Sequence, residues 1–320
     1  MKKNGINRGN ENLKKRAPVV KRNSVLILTT NPDFPTNNHL EKAFNSSGYT
    51  VSFKNPYLGP CRIDNIPEQE APEIVLNRCG GLYFDDLDLT YCRLYQSHGS
   101  VIINSPDSIG MFRNKDQQLA YLNGLQLPLI PSLMVRSEGL NQESLNFLNN
   151  DLKGLSDATL KERYILKNSR GQGGKGVIRV NGVQCLRDLV ETRSLMGDQR
   201  YLIQPMLPIE KEYRIYFADS DPIHALTKSN NSGEKHNLAN SEFQDIQLTD
   251  LPKEITQHQE RLSQLPLFFY CVDWIQTSAQ HGEQFYLLEV NTFPGVEGVQ
   301  ERDKLLQKLT LSIRNYVNNR

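Results

Sequence analysis

Two carboxylates and one amide lie in apolar segments near the C-terminus, where their types and spacing suit metal binding. Asp273 lies inside the apolar run 268–275, and an unpaired buried carboxylate costs several kcal/mol, so we expect it to have a cationic partner. In the apolar run 285–291, the two-residue period of a strand places Glu289 and Asn291 on one face. Such oxygen ligands suit Mg²⁺, which also takes oxygens from ATP. The pattern predicts a magnesium site, the alternative being that Asp273 pairs with a structural arginine and Glu289 is an edge residue.

A glycine-rich segment at 171–176 matches G-x-G-x-x-G, which is a weak signal by itself. A dinucleotide-binding loop is followed by a helix, and a P-loop continues from Gly-Lys into Ser or Thr. Here Lys175 is followed by Gly176 and then by the β-branched run 177–180, which ends at the turn Asn181-Gly182. Neither kind of loop fits, so we interpret the segment as the tip of a β-hairpin.

Such a glycine flap has few side chains and can lie over phosphates while its backbone N–H groups donate to them. Gly173 and Gly174 stand at its centre. Lys167 ends the strand that enters the flap, which would place an ammonium beside the phosphates. The alternative is a surface turn with no ligand.

Arg78 is a candidate for substrate binding, because it follows the apolar run 74–76 and precedes Cys79-Gly80-Gly81. A guanidinium at this place could hold a substrate carboxylate through two hydrogen bonds. A structural ion pair is the alternative, and the sequence favours neither.

With a glycine flap, a preceding lysine and a terminal Asp…Glu-x-Asn set, the chain resembles the ATP-grasp superfamily of carboxylate–amine ligases. Within it the chain looks most like the ribosomal-protein glutamate ligases (the RimK-like group) and less like prokaryotic glutathione synthetase. The resemblance runs from about residue 25 to the C-terminus. The motifs that carry it are 165–167 with 171–176, 272–275, and 288–298, which contains Asn-x-x-Pro-Gly-x-Glu-Gly after a Glu-Val strand.

The resemblance implies an ATP site. In it, Lys115 and Lys167 would hold the phosphates, the segment 204–207 would read adenine through its backbone, and Glu212 would lie near the ribose. The full set implied to bind ATP is Lys115, Lys167, Gly173, Gly174, Gln204, Pro205, Met206, Leu207, Glu212, Lys235, His236 and Asn237.

The resemblance also implies roles in chemistry. Arg214 and Lys228 would face the transferred phosphoryl group and act as catalytic residues. Asp273, Glu289 and Asn291 would ligate two Mg²⁺ ions, for which Mn²⁺ could substitute. Members of the superfamily often form dimers or tetramers, which implies a homo-oligomer.

Three departures from the family pattern cluster on the side where substrate binds. Pro205 stands where these ligases typically have an acid, Ala239-Asn240 replaces a Gly-Gly pair, and the segment 299–302 differs as well. Glutamate is therefore not carried over as the substrate. The acceptor is left open between an amino acid, a peptide and a protein tail.

The elements that must position these residues begin with apolar runs at 25–28, 50–53, 74–76 and 101–103 and a helix around 39–45, which together predict a small parallel α/β domain. Helical spacing then predicts one helix over 112–125, and a polar helical stretch follows at 141–152. Later strands are expected at 164–167, 177–180, 201–204, 213–218, 223–228, 268–275 and 284–291, with a closing helix at 303–317.

We therefore predict an α/β protein with α+β lobes, namely an ATP-grasp fold with an N-terminal parallel α/β domain. Residues 1–22 form a basic disordered tail, and 23–110 form the substrate-side domain. Residues 111–203 form the central lobe with the glycine flap, and 204–320 form the C-terminal lobe with the metal site.

Composition narrows the class of protein. No segment approaches the roughly 20 apolar residues that cross a membrane, and five scattered cysteines without a CxxC pair indicate a reducing compartment, so we predict a cytoplasmic protein. Residues 1–22 hold eight basic residues and one acid, which gives them a net charge of +7. Because the whole chain has a net charge of +1, residues 23–320 carry a net charge of −6. That balance argues against nucleic-acid binding by the folded body. The tail is either a solvated leader or a tether to an anionic partner such as RNA.

The resemblance implies an ATP-dependent ligase that makes an acyl-phosphate and joins a small-molecule or peptide carboxylate to an amine. Two alternatives remain: a kinase on the same scaffold that phosphorylates a hydroxyl, as inositol-phosphate kinases do, and a nucleotide-binding scaffold without catalysis. The net charge of −6 on residues 23–320 disfavours the kinase, which needs a dense basic pocket. The presence of Lys167, Asp273, Glu289 and Asn291 disfavours the second.

Overall fold

The structure, a computed structural model, describes residues 21–59, 63, 71–80, 85–136, 140–150, 162–171, 176–195, 200–229, 243–278 and 283–320. Three sheets account for the strands in these ranges. Residues 1–20 lie outside the described part of the chain. So do five predicted ATP-binding residues, Gly173, Gly174, Lys235, His236 and Asn237.

The first sheet is parallel, with the strand order β2-β1-β3-β4. Its strands are β1 (Lys21–Leu28), β2 (Thr50–Lys54), β3 (Pro72–Asn77) and β4 (Val101–Ile103), and its helices are α1 (Pro35–Ser46) and α2 (Leu87–Ser97). The four predicted strands and the predicted helix α1 are confirmed, whereas α2 was not foreseen individually. Strand β1 begins at Lys21, so the last two residues of the predicted tail belong to the sheet.

Two short helices follow, and the second lies within the single helix predicted over 112–125, so that prediction is confirmed for 115–124 and wrong in its start at residue 112. They are α3 (Pro106–Arg113) and α4 (Lys115–Gly124). Asn114 separates them with an extended backbone (φ −98°, ψ 113°) and pairs with Arg170 in an isolated bridge. The break makes Lys115 the first residue of α4, directly beside the base of the glycine flap.

The second sheet is antiparallel, with the strand order β5-β8-β6-β7. Its elements are β5 (Leu133–Val135), α5 (Gln142–Asn150), β6 (Arg163–Asn168), β7 (Val177–Asn181), α6 (Val183–Leu195) and β8 (Tyr201–Pro205). Strands β6 and β7 pair antiparallel on either side of the glycine segment, which confirms the predicted hairpin. Helices α5 and α6 bury Leu145, Leu148, Leu186 and Val190 with Tyr164 in the core of this lobe.

The third sheet is antiparallel and carries most candidate site residues, with the order β11-β10-β9-β12-β13. Its strands are β9 (Ile209–Ala218), β10 (Asp221–Ser229), β11 (Gln244–Ile246), β12 (Phe269–Thr277) and β13 (Phe285–Thr292). It is flanked by a 3-10 turn (Leu248–Asp250), α7 (Lys253–Thr256), α8 (Gln259–Leu262) and α9 (Arg302–Asn318). Strand β12 is buried along its whole length, which explains its continuous apolar run.

The helices α3 and α4 pack on this third sheet, because Phe112 and Leu122 share a core with Tyr213 and Trp274. By packing, α3 and α4 thus lie on the third sheet, and the predicted boundary of the central lobe at residue 111 stays a prediction. The segment after α4 stays on the third sheet as well, because Leu127 lies in the same core and Leu129 pairs with Leu287 of β13 in an isolated bridge.

The first and third sheets are joined into one packed unit. Leu40 and Phe44 of α1 lie in the same core cluster as Leu309 of α9 and Phe269 of β12. At the end of β4, Asn104 Oδ1 accepts hydrogen bonds from the backbone N–H groups of Phe268 (2.6 Å) and Phe269 (2.7 Å). The carboxyl edge of the N-terminal sheet is therefore held against the strand that carries Asp273.

Among the described residues, no helix has both the length and the apolar composition required to cross a membrane. The four described cysteines, Cys79, Cys92, Cys185 and Cys271, are all unpaired. A reducing compartment and a cytoplasmic location stay predictions.

Candidate active site

Three charged residues lie side by side across the third sheet. Arg214 of β9 is the register partner of Asp273 of β12, and Asp273 is in turn the partner of Glu289 of β13. Directly opposed residues of antiparallel strands share a face of the sheet, so the three side chains meet. Arg214 donates from Nε to Asp273 Oδ1 and from Nη2 to Oδ2, each at 2.7 Å. The predicted cationic partner of Asp273 is therefore Arg214.

Asn291 completes the predicted metal set, as the two-residue strand period required. Its Nδ2 donates to Asp273 Oδ2 and to Glu289 Oε1, both at 3.0 Å. No three His, Cys, Asp or Glu side chains cluster as a metal site in the described ranges. The site instead offers two carboxylates and an amide, which suits Mg²⁺ because this ion keeps several water or phosphate oxygens in its coordination sphere.

Two lysines from other elements neutralise Glu289. The Nζ atom of Lys115 lies 3.5 Å from Glu289 Oε2 and donates to the Gly171 carbonyl at 2.9 Å, at the start of the glycine flap. Burial alone would raise the pKa of the Glu289 carboxyl, but Lys115, the Asn291 amide and Lys167 outweigh it and hold the pKa at about 2. Glu289 is therefore an anion at any physiological pH.

Lys167 projects from the end of β6, where the sequence analysis placed it. Its Nζ donates to Gln204 Oε1 at 2.7 Å, and Gln204 Nε2 donates in turn to Ser132 Oγ at 2.8 Å. Burial lowers the pKa of Lys167 to about 8, and the charge of Glu289 opposes part of that shift. Lys167 thus lies between the start of the predicted adenine hinge and the carboxylate pair.

The predicted hinge 204–207 connects the central and C-terminal lobes. Gln204 is buried, and its side chain bonds to Lys167 and Ser132. The N–H of Met206 donates to the Arg163 carbonyl at 2.9 Å. Pro205 has no N–H to offer, and the Leu207 carbonyl accepts from the N–H of Ile209 at 3.0 Å. Several groups of the hinge are thus engaged within the protein, and an adenine contact here stays a prediction.

Lys228 and Glu212 form a second pair beside the row of charged residues. They are register partners on β10 and β9, with Lys228 Nζ 3.9 Å from Glu212 Oε2. The Lys228 side chain is 3% exposed, and its Nζ has no hydrogen-bond partner in the part of the chain that the structure describes. Burial raises the pKa of Glu212, and the ammonium of Lys228 opposes the rise. A buried ammonium with unused donors calls for an anionic ligand.

Arg78 lies at the seam between the first and third sheets. Its Nη1 donates to the carbonyls of Phe293 (2.6 Å) and Pro294 (3.1 Å), and its Nε donates to Asn37 Oδ1 at 3.3 Å. Burial lowers its pKa to about 10, with Glu297 opposing the shift. Within the described residues Arg78 forms no ion pair, so the structural ion pair considered from sequence is not observed there.

A polar network around Arg170, just before the glycine segment in sequence, was missed by the sequence analysis. Arg170, the residue before Gly171, donates from Nη2 to both carboxylate oxygens of Asp86 (2.7 and 2.6 Å) and from Nε to Asn114 Oδ1 (2.9 Å). Arg113 joins the same Asp86 and continues the network into the N-terminal domain. Arg170 could have been identified from the sequence because it directly precedes the glycine-rich segment. No sequence pattern marks Asp86.

Comparison with known proteins gives three findings. Residues 149–302 match the family model of the ATP-grasp domain of prokaryotic glutathione synthetase. No curated protein matches the chain in sequence. The chain is similar to the solved structure of a RimK domain ATP-grasp protein from Sphaerobacter thermophilus, with a TM-score of 0.64, 14% identity, and coverage of 91% of this chain and 99% of that one.

Two further solved structures are similar over nearly their whole length. D-alanyl-alanine synthetase A from Vibrio cholerae has a TM-score of 0.63 and 14% identity, covering 92% of this chain and 98% of its own. The ATP-grasp ligase PsnB, complexed with a minimal precursor, has a TM-score of 0.63 and 16% identity with the same coverage. At these identities the likeness establishes the architecture, and with the matching family model it shows that the chain has the ATP-grasp fold that its motifs predicted.

Proposed function

We propose that the chain is an ATP-dependent ligase that activates a carboxylate as an acyl-phosphate and joins it to an amine. One observation carries the proposal: Asn291 joins the register partners Asp273 and Glu289 on the third sheet through hydrogen bonds to both, with cations on several sides. The cations that approach this cluster or its neighbour Glu212 are Lys115, Lys167, Arg214 and Lys228. Phosphoryl transfer depends on such charge neutralisation and alignment more than on a covalent catalyst.

The matched family domain and the names of the similar structures, a synthetase and a ligase among them, support ligase chemistry. Asp273, Glu289 and Asn291 are the residues that would hold two Mg²⁺ ions, or Mn²⁺ in their place. When bound, the metal would neutralise the charge of the phosphate oxygens during transfer. Lys115 and Lys167 would hold the ATP phosphates, and the segment 204–207 the adenine.

The proposed reaction has two steps. An oxygen of the substrate carboxylate attacks the γ-phosphorus, the bond from that phosphorus to the β–γ bridging oxygen breaks, and ADP leaves with the electron pair. A neutral amine then attacks the acyl carbon, the carbon–oxygen bond to phosphate breaks, and inorganic phosphate leaves while the nitrogen loses a proton. Arg214 and the unsatisfied ammonium of Lys228 would stabilise the transferred phosphoryl group.

On the substrate side, we assign Arg78 to a carboxylate of the acceptor. Its guanidinium is half-buried, has only neutral hydrogen-bond partners among the described residues, and lies beside the loop that follows Asn291. A half-buried cation with neutral hydrogen-bond partners gains more from an anionic ligand than a fully exposed one does. An amino acid or the C-terminal residue of a peptide would supply such an anion.

The test is Mg²⁺-dependent release of ADP and phosphate with a panel of amino acids and short peptides, run with wild type, Glu289→Ala and Glu260→Ala. Glu260 is exposed on α8 and serves as the matched control. Release should require both a carboxylate and an amine, and it should fall by at least about 100-fold in Glu289→Ala only. Transfer to a hydroxyl without free phosphate would overturn the ligase in favour of a kinase. ATP binding without turnover across the panel would favour a scaffold.

A further inference from the structure

Helix α4 presents one buried amide side chain to the outer edge of β13. Gln118 is 3% exposed, and its Nε2 donates to the Val290 carbonyl at 2.7 Å while its Oε1 accepts from the Val290 N–H at 3.0 Å. A third hydrogen bond, from Nε2 to the Phe112 carbonyl at 2.8 Å, fixes the orientation of the amide. The side chain therefore pairs with Val290 as a residue of a neighbouring strand would.

The location of this contact matters because β13 is the last strand of its sheet. Val290 lies between Glu289 and Asn291, and its own side chain is buried in the core on the opposite face. Since alternate residues of a strand point to opposite faces, the backbone of Val290 sets where both flanking side chains project. Gln118 holds that backbone from the side on which no strand pairs at this residue.

The same helix contributes a charge to the same strand. Lys115 lies three residues before Gln118, on the same side of α4, and its Nζ is 3.5 Å from Glu289 Oε2. One helical turn thus fixes the backbone of β13 and neutralises its carboxylate. Gln117, the residue before Gln118 on α4, is exposed.

We propose that Gln118 is a positioning residue that sets the separation and orientation of Glu289 and Asn291 for the metal. The inference rests on the proposed function, since it takes these two residues as metal ligands. Residues that orient metal ligands through hydrogen bonds typically change metal affinity by about 10- to 100-fold when they are replaced. Gln118 acts through the backbone of the residue between the ligands.

The experiment measures Mn²⁺ binding to the full chain by electron paramagnetic resonance, with a non-hydrolysable ATP analogue present. Gln118→Met keeps the length of the side chain and removes its hydrogen bonds, and we expect the Kd for Mn²⁺ to rise by about tenfold or more. Gln117→Met is the matched control and should bind as wild type. Gln118→Asn keeps an amide on a shorter side chain, so it should raise the Kd for Mn²⁺ less than Gln118→Met does. This variant replaces Gln118→Met in the test if the methionine variant does not fold.

A comparator separates positioning from general stability. Leu122→Ala opens a cavity in the core that α4 shares with the third sheet, so it should lower the melting temperature without changing the Kd for Mn²⁺. Wild-type Mn²⁺ affinity in a folded Gln118 variant, or an equal loss of affinity in Leu122→Ala, would overturn the inference. Full Mn²⁺ binding by Glu289→Ala would instead show that the proposed metal site itself is misassigned.

Discussion

Arg214 holds Asp273 through two parallel hydrogen bonds of 2.7 Å that join strands β9 and β12. Their side chains are only 17% and 8% exposed. Burial raises the pKa of the Asp273 carboxyl and the guanidinium opposes the rise, while Asp273 in turn raises the pKa of Arg214 against the effect of burial. Each residue thus opposes the effect of burial on the charge of the other.

Loss of this pair should destabilise the protein. Arg214→Met leaves Asp273 buried without a counter-charge, and we expect the free energy of unfolding to fall by about 3–5 kcal/mol in urea denaturation. Arg93→Met removes an exposed ion pair with Asp107 and should cost less than about 1 kcal/mol. Equal losses in the two variants would show that the Arg214–Asp273 pair is not what stabilises this part of the sheet.

Lys167 should make ATP binding depend on pH. Its pKa of about 8 means that the free protein loses this positive charge as the pH rises through 8, whereas an ordinary lysine stays charged to about 10.5. We expect kcat/KM for ATP to fall roughly tenfold per pH unit above about 8, because kcat/KM reports the free enzyme. Lys167→Arg keeps its charge and should show a flat profile from pH 7 to about 9.5. A wild-type profile that is also flat would contradict the prediction.

The same shift has a definite sign for stability. Between pH about 8 and about 10.5 the unfolded chain binds more protons at Lys167 than the folded protein does. Stability should therefore rise with pH in this window, as the cost of burying the ammonium disappears. The free energy of unfolding of wild type and of Lys167→Met can be measured by urea denaturation at pH 7 and pH 10. Relative to Lys167→Met, wild type should be more stable at pH 10 than at pH 7.

Replacement of Arg78 should weaken binding of the acceptor and leave binding of ATP nearly unchanged. Arg78→Lys keeps a positive charge but cannot reproduce the guanidinium's fixed set of contacts to Phe293, Pro294 and Asn37. We expect the KM for a carboxylate-bearing acceptor to rise about 10- to 100-fold, which corresponds to the loss of one charged hydrogen bond. The KM for ATP should change less than about twofold. Arg93→Lys, exposed on α2, is the control, and parallel rises in both KM values would assign Arg78 a purely structural role.

The sequence predicted the strands that carry the metal residues well, for a physical reason. Strand β12 is buried on both faces, so Asp273 stood out as the single carboxylate in an apolar run. Glu289 and Asn291 followed from strand periodicity, since a shift by one residue would have placed both on the opposite face. The spacing of Val183, Leu186 and Val190 is typical of one face of a helix and is a readable signal for α6, which was not predicted.

What the sequence could not predict depends on contacts between distant segments. The helix break at Asn114 follows from its pairing with Arg170, 56 residues away, and nothing in the local sequence breaks the helical period. The pairing of Arg214 with Asp273 depends on the register of β9 against β12, which the chain does not encode locally. In the sequence Gln118 resembles any polar helix residue, and only its contact with β13 distinguishes it.

Gly176, at the exit of the glycine flap, should not tolerate a side chain. Its φ of +77° is unfavourable for other residues, and an added Cβ would lie 3.2 Å from Asn168 Nδ2, whose side chain is held by Arg193. We expect Gly176→Ala to lower the free energy of unfolding by about 1–2 kcal/mol in urea denaturation. Gly124→Ala, at the end of α4, meets open space and should instead stabilise by about 0.5–1 kcal/mol. Equal effects of the two substitutions would show that the left-handed backbone at residue 176 does not constrain the flap.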